Sequence, residues 1–340
     1  MHKKTRVLLI CKKRVDSYGI PIGLINSATF VVRALNANGI EAKLVSVNDN
    51  NAIHKEVTDY KPTHVMIEAL WVVPAKFDEL LQLHPDKQWL VRIHSKTPFL
   101  SMEGIAMEWI EKYADLGKKY SNFIMAPNSY SLHDDLKNAL GIKSVTLPNI
   151  YYPDCKERCI EERKIGKEIN VGCFGAIRPL KNHLIQALAA IALAKELKKK
   201  LKFHINANRI EQKGDDILKN LRALANAGEM ELIEHPWSPH GEFLSIVSKM
   251  DVGMQVSLSE SFNIVAADFV FMGVPIIVSK DVNWMPDYAK ADANDMSDIV
   301  DKLKDGLDGG WWFSKMTTLN RKALQEYNEN SLKAWKRFLK

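Results

Sequence analysis

The stretch Ser259-Glu260-Ser261-Phe262-Asn263-Ile264-Val265-Ala266-Ala267-Asp268-Phe269-Val270-Phe271-Met272-Gly273-Val274-Pro275-Ile276-Ile277-Val278-Ser279 decides how the chain folds. It opens as a loop, runs through a short apolar helix, breaks at Gly-Val-Pro and ends on a buried strand. One carboxylate, Glu260, stands at the helix entrance and a second, Asp268, follows about two turns later. The N–H groups that open a helix have no partners within it and favour anions. Acidic side chains beside them bond the hydroxyls of whatever carries the anion. A phosphate attached to sugars meets both demands, so the segment reads as a site for a nucleotide sugar.

Outward from this segment, short apolar runs alternate with longer helical patterns, which implies βαβ units and parallel sheets. In the first half, strands are expected at Arg6–Cys11, Ala42–Val47, His64–Glu68, Trp89–Ile93, Phe123–Ala126 and Ser144–Leu147. Helices are expected at Leu24–Asn38, ended by Gly39, and at Gly104–Lys119. Pro148-Asn-Ile-Tyr-Tyr-Pro153 and a charged stretch, Lys156–Lys167, interrupt the pattern and mark a linker. It restarts with a strand at Ile169–Phe174, a loop at Gly175–Lys181 and a helix from Asn182 to Lys200. Further strands are expected at Leu201–Asn206, Glu231–Glu234, Val252–Val256 and Pro275–Ser279, and a terminal helix or helix pair at Ser314–Lys340. The expected architecture is α/β: two Rossmann-like, doubly wound domains facing a cleft. These are residues 1–150, a linker at 151–167, residues 168–313, and a C-terminal helix at 314–340 that crosses back.

A chain of 340 residues exceeds the usual size of a single core. Its 46% hydrophobic and 26% charged residues are ordinary for a globular protein, and no apolar run approaches the roughly 18–20 residues that span a bilayer. Val7–Ile10 is too short for a signal-peptide core and reads as the first strand. Of four cysteines, Cys155 and Cys159 could share a helical turn, but no second pair or His pair accompanies them, so no metal site is expected. A reduced, cytoplasmic protein fits, in the host cytoplasm if the gene belongs to a phage. The net charge of +6 is mild, and its distribution matters more than its sum.

Gly175-Ala-Ile-Arg178-Pro-Leu-Lys181-Asn182 leaves the first strand of the second half and opens a helix. Gly175 permits close backbone approach, and Arg178 and Lys181 carry the charge to neutralise a diphosphate. A solvated basic turn is the plainer alternative, but strand-end loops in this fold face the ligand. Together with the opening segment, these residues resemble the retaining GT-B glycosyltransferases, specifically glycosyltransferase family 4. That family carries Glu–seven residues–Glu running into Ala-x-x-Gly-x-Pro. Glu260 and Asp268 keep that spacing, ahead of Phe271-Met-Gly273-Val-Pro275, with Asp in the second place. The family's Gly-Arg, with Lys-Gly or Lys-Asn five residues after the Arg, is matched by Lys181-Asn182 but has Ala176 in the arginine's place, which Arg178 would fill. Leu147-Pro-Asn149 resembles the family's Pro-Asn-Gly at the domain crossover.

The resemblance implies that Asp268 bonds the ribose hydroxyls and Glu260 those of the transferred sugar. Backbone N–H groups around Ser261, Phe262 and Asn263 would face the phosphates. It implies that His94, at the end of the fourth strand, lies close to the reacting sugar; a histidine satisfied in the core is the alternative. No Asp-x-Asp occurs, in keeping with transfer that needs no metal or other cofactor beyond the nucleotide-diphosphate sugar itself. Trp237, in His235-Pro-Trp-Ser-Pro-His240, either stacks on the nucleobase or packs at a turn. Trp311 and Trp312 read as core.

The first domain should bind the acceptor, and its strand-end loops are basic. Lys12, Lys13 and Arg14 lead into the loop of Tyr18 and Gly19, while Arg92 and Lys96 flank His94. These charges are either solubilising or a positive surface for an anionic acceptor. The leading expectation is a retaining transferase acting on hydroxymethylated bases of phage-type DNA. A saccharide or lipid-linked acceptor is the nearest alternative, and a nucleotide-sugar epimerase or a non-catalytic binding protein stands further off. The donor's base, its sugar and the oligomeric state are not legible.

Overall fold

The computed structural model describes residues 4–13, 22–154, 165–307 and 311–340, without the side chains of Ile22 and residues 311–314. Arg14, Tyr18, Gly19, Cys155, Cys159, most of the charged stretch before Lys167 and the side chains of Trp311 and Trp312 therefore lie outside the described residues. The chain divides into two units, Met1–Pro153 with Asn328–Lys340, and Asp154–Tyr327.

The first unit runs β1 (Arg6–Lys12), α1 (Ile22–Ala37), β2 (Glu41–Val47), α2 (Ile53–Tyr60), β3 (His64–Glu68) and α3 (Pro74–Leu83). It continues with β4 (Gln88–Ile93), α4 (Thr97–Leu100), α5 (Ala106–Lys119), β5 (Phe123–Pro127) and α6 (Tyr130–Leu140). The strands form a parallel sheet in the order β2-β1-β3-β4-β5. Val7–Cys11 is buried without alternation because helices cover both faces, the pattern of an all-parallel sheet. The strand expected at Ser144–Leu147 does not form. Ser144 makes an isolated bridge to Met125, and the Val145 and Leu147 amides bond Met125 and Pro127 carbonyls at 3.0 and 2.9 Å. Pro148 follows with no N–H to extend the pairing.

The second unit runs β6 (Glu168–Gly172), α7 (His183–Glu196), β7 (Lys200–Asn206), α8 (Gly214–Asn226), β8 (Glu231–His235), α9 (His240–Val247) and β9 (Val252–Gln255). Then come α10 (Ile264–Met272), β10 (Ile276–Ser279), β11 (Lys290–Ala291), α11 (Met296–Leu307) and α12 (Trp311–Phe338). Its sheet is also parallel, in the order β11-β10-β9-β6-β7-β8. The helix expected to reach Lys200 ends four residues earlier, at Glu196. Lys198 takes a left-handed turn at φ 53°, with no glycine to announce it.

The chain ends as one helix, whose last turns return to the first unit. There Trp335 is fully buried and donates to the Pro148 carbonyl at 2.8 Å, and the Asn328 amide bonds both backbone groups of Tyr151.

Strand order reverses at β6, which has β7 on one side and β9 on the other. Loops leaving β6 and β9 therefore part at their carboxyl ends, the place where doubly wound sheets bind ligands. α10 packs close over this point. Gly172 and Gly253 face each other in register, and a Cβ on either would come within 2.8 and 2.5 Å of the Phe269 ring. Only glycine lets the helix sit so near the sheet.

Candidate active site

The loop after β6 begins at Gly175, whose φ of +118° suits glycine alone and whose N–H bonds the Asn206 side chain at 3.0 Å. The loop after β9 is stitched to it. Leu258 N–H donates to the Leu180 carbonyl at 2.9 Å, the Asn182 amide reaches Val256 O and Ala293 O, and the Gln186 side chain accepts from Val256 N–H at 2.8 Å. This stitching brings Lys181 onto Glu260: the ammonium and the carboxylate form a largely buried ion pair. Both residues were expected at the donor, but their direct pairing was not.

Arg178 lies 3.0 Å from Glu211, which also accepts from Arg209 Nε at 2.6 Å. Burial works to raise the Glu211 carboxyl, but the two guanidinium charges outweigh it and hold it below its ordinary range. Two cations on one carboxylate leave net positive charge beside Lys181. Arg209 escaped the sequence reading because it follows another strand, with no motif around it.

Asn263 opens α10 in the left-handed region, φ 63°. Its side-chain oxygen caps the Ala266 amide at 2.9 Å. Its side-chain nitrogen donates to Gln255, which in turn donates to the Phe174 carbonyl at 2.8 Å. The helix entrance is thus less open to an anion than expected, since Glu260 N–H is also taken, by Asp281 at 2.8 Å. The Phe262 side chain is buried, stacked on Tyr327 with centroids 5.0 Å apart, and its carbonyl accepts from Trp284 Nε1.

α10 is apolar on every face, so Asp268 is a carboxylate in a buried helix and needs a partner. His240 supplies it, with Nε2 2.7 Å from Oδ1. The ring of Phe174 lies 5.2 Å from Phe243 of α9 and 6.0 Å from Phe269 of α10, which gathers both helices at the end of β6. Trp237, just before α9, is 56% exposed, a surface rather than a packing residue. His183, the first residue of α7, is buried with neither ring nitrogen bonded. Burial, aided by Lys181 and Arg178, pushes it down to about 3, so it stays neutral. The partnership of His240 with Asp268 spans 28 residues, which residue spacing does not reveal.

In the first unit, His94 Nε2 is 2.6 Å from Glu68 and Nδ1 is 3.5 Å from the Asn128 amide. Burial, together with the charge of Arg92, lowers His94, so Nε2–H donates to Glu68. Arg92 corrects the expectation of an acceptor-facing cation. It is fully buried, pairs with Glu68 at 3.1 Å, donates to the Leu147 carbonyl at 3.1 Å and to Asn149, and faces the Trp335 ring. Lys96 is buried as well, while Lys12 and Lys13 are exposed. Among the described residues no group of three or more His, Cys, Asp or Glu could hold a metal, and no helix is long and apolar enough to cross a membrane.

No family model and no curated protein matches the sequence. Solved structures do resemble the fold. A trehalose-6-phosphate synthase, OtsA, superposes with a TM-score of 0.71 at 12% identity, over 98% of this chain and 99% of its own. The trehalose-6-phosphate enzyme from E. coli bound with UDP-2-fluoro glucose gives 0.61 at 12% identity, over 96% of each chain. TarM from S. aureus, a G117R mutant in complex with fondaparinux, alpha-GlcNAc-glycerol and UDP, gives 0.61 at 13%, over 81% of this chain and 55% of that one. At this identity the likeness establishes the GT-B fold.

Proposed function

We propose that this chain is a glycosyltransferase that moves a sugar from a nucleoside-diphosphate sugar to an acceptor hydroxyl, with retention at the anomeric carbon. One observation supports the reading: Lys181 pairs with Glu260 between the loops that leave β6 and β9, while Asp268, on the helix that follows Glu260, pairs with His240. On this reading Lys181 serves the diphosphate and Glu260 the sugar hydroxyls, on a fold shared with proteins solved with UDP or a UDP-sugar. In this reading the diphosphate draws Lys181 away from Glu260, and the freed carboxylate bonds the sugar. Arg178 and Arg209 add charge for the leaving group, so no metal or further cofactor is invoked. The bond from C1 to the phosphate oxygen breaks, the bond from C1 to the acceptor oxygen forms on the same face, and the acceptor proton passes to the departing phosphate.

Acceptor binding is assigned to the first unit, with His94 as its candidate catalytic side chain and Lys12 and Lys13 for an anionic group. With Arg92 and Lys96 buried, the exposed charge suits a saccharide or sugar phosphate better than a long polyanion. Hydroxymethylated DNA is a second acceptor reading, favoured by the adjacent exposed Lys12 and Lys13.

The test is incubation with a panel of labelled nucleotide sugars, with and without sugar phosphates or hydroxymethylated DNA, followed by NMR of the product anomer. Acceptor-dependent transfer with retention is expected. Inversion, or a sugar altered without any acceptor, would sink the assignment, the latter in favour of an epimerase.

A further inference from the structure

Asp268 is poorly placed for the direct ribose contact that the sequence resemblance gives it. Its side chain is one methylene shorter than the glutamate of that pattern, and it is 2% exposed within an apolar helix. The imidazole of His240 lies against it, Nε2 2.7 Å from Oδ1, and is 17% exposed at the first position of α9. Of the two groups, the histidine is the one presented outward. Three residues before it stands the exposed Trp237, whose face suits a nucleobase. A ribose joined to that base would lie nearer the imidazole than the buried carboxylate.

We infer that His240 bonds the ribose hydroxyls of the bound nucleotide, and that Asp268 is a positioning residue that holds the imidazole from behind. The inference rests on the nucleotide-sugar reading of the site and adds a residue that the family pattern does not contain. Chemically, the Asp–His pair replaces a longer carboxylate: the imidazole restores the reach that the missing methylene removes. It also accounts for the lone charged side chain in α10, since a buried carboxylate persists only with a hydrogen-bonding partner.

The experiment measures the affinity of whichever of UDP, GDP and ADP binds the full chain most tightly, together with its 2′-deoxy form. Both are measured on the same preparations of wild type, His240→Ala, His240→Gln and Asp268→Asn. A loss of folded protein cancels in the ratio of the two affinities. The wild type is expected to prefer the ribose form by roughly tenfold. His240→Ala should bring that ratio to about one, His240→Gln should keep part of it, and Asp268→Asn should reduce it partially by loosening the ring. In the His240→Ala background, Asp268→Glu should recover the preference, because the longer carboxylate reaches into the vacated space. If His240→Ala keeps the full preference while Asp268→Asn loses it, Asp268 is the ribose ligand and the inference is overturned. If the wild type binds no nucleoside diphosphate at all, the functional reading itself fails.

Discussion

Lys181 and Glu260, separated by 79 residues in sequence, form an ion pair between the loops that leave β6 and β9. In the proposed reading neither carries its full charge to a ligand until the pair opens, so a donor diphosphate would compete with Glu260 for the ammonium. Glu260→Gln weakens this competition. The variant should lose transfer by at least about a hundredfold, while the affinity for the nucleoside diphosphate holds or rises. Lys181→Ala should do the reverse to binding, weakening the diphosphate by roughly tenfold to a hundredfold. Calorimetric titration beside a transfer assay separates the two effects. Equal loss of nucleotide binding in both variants would mean that the pair serves only to join the loops.

Glu68 and Arg92 are both fully buried, and His94 leans on the same carboxylate. Burial works to raise Glu68, but the charge of Arg92 and the contact with His94 outweigh it and hold the carboxyl below its ordinary range. Glu68→Gln strands the guanidinium in the core and should cost about 3–5 kcal/mol of stability, read from denaturant midpoints. Adding Arg92→Leu should return part of that loss, since an apolar side chain leaves no uncompensated charge. Failure of the double variant to recover would show that the bonds of Arg92 to Leu147 and Asn149 matter more than its pairing.

His183 makes acid stability a readout of the junction between the loop after β6 and α7. Its pKa is near 3 when folded, against 6.5 for the free side chain, so between those values the unfolded chain binds the proton that the native state refuses. Stability therefore falls as pH drops from about 6.5 toward 3, with a slope approaching about 1.4 kcal/mol per pH unit. His183→Phe removes this term. Unfolding curves from pH 7 to pH 4 should show the variant losing less stability than the wild type. Parallel losses would mean that His183 titrates normally in the folded protein.

Much of the architecture was legible because parallel strands buried on both faces read as continuous apolar runs, as at Val7–Ile10 and Ile276–Val278. The boundaries that failed did so for local reasons. Lys198 turns left-handed without a glycine, and Pro148 stops a strand that the residues before it would otherwise allow. In the site, Lys181, Glu260 and Asp268 sit on a recognisable spacing. Their partners do not, because His240 meets Asp268 across 28 residues and Arg209 joins Arg178 on Glu211. Arg92 misled for the opposite reason. A cation at a strand end reads as exposed, and only the acid at the end of the neighbouring strand, Glu68, reveals that it is buried.

The closeness of α10 to its sheet gives a last prediction, in which packing controls the site from beneath. Gly253 lies under the Phe269 ring, with two ring carbons 2.5 Å from where a Cβ would stand. Phe269 is fully buried and stacked on Phe174, so it has little room to yield. Gly253→Ala must push the ring outward, and α10 with it, carrying Asp268 away from His240 one residue along the helix. Overpacking of this kind should cost about 1–3 kcal/mol and lower nucleotide affinity in the fraction that stays folded. Phe269→Leu added to Gly253→Ala removes the ring atoms that clash and should restore the affinity, even though the smaller side chain leaves stability below that of the wild type. If stability drops while nucleotide affinity is unchanged, the helix tolerates displacement, and the position of Asp268 does not govern binding.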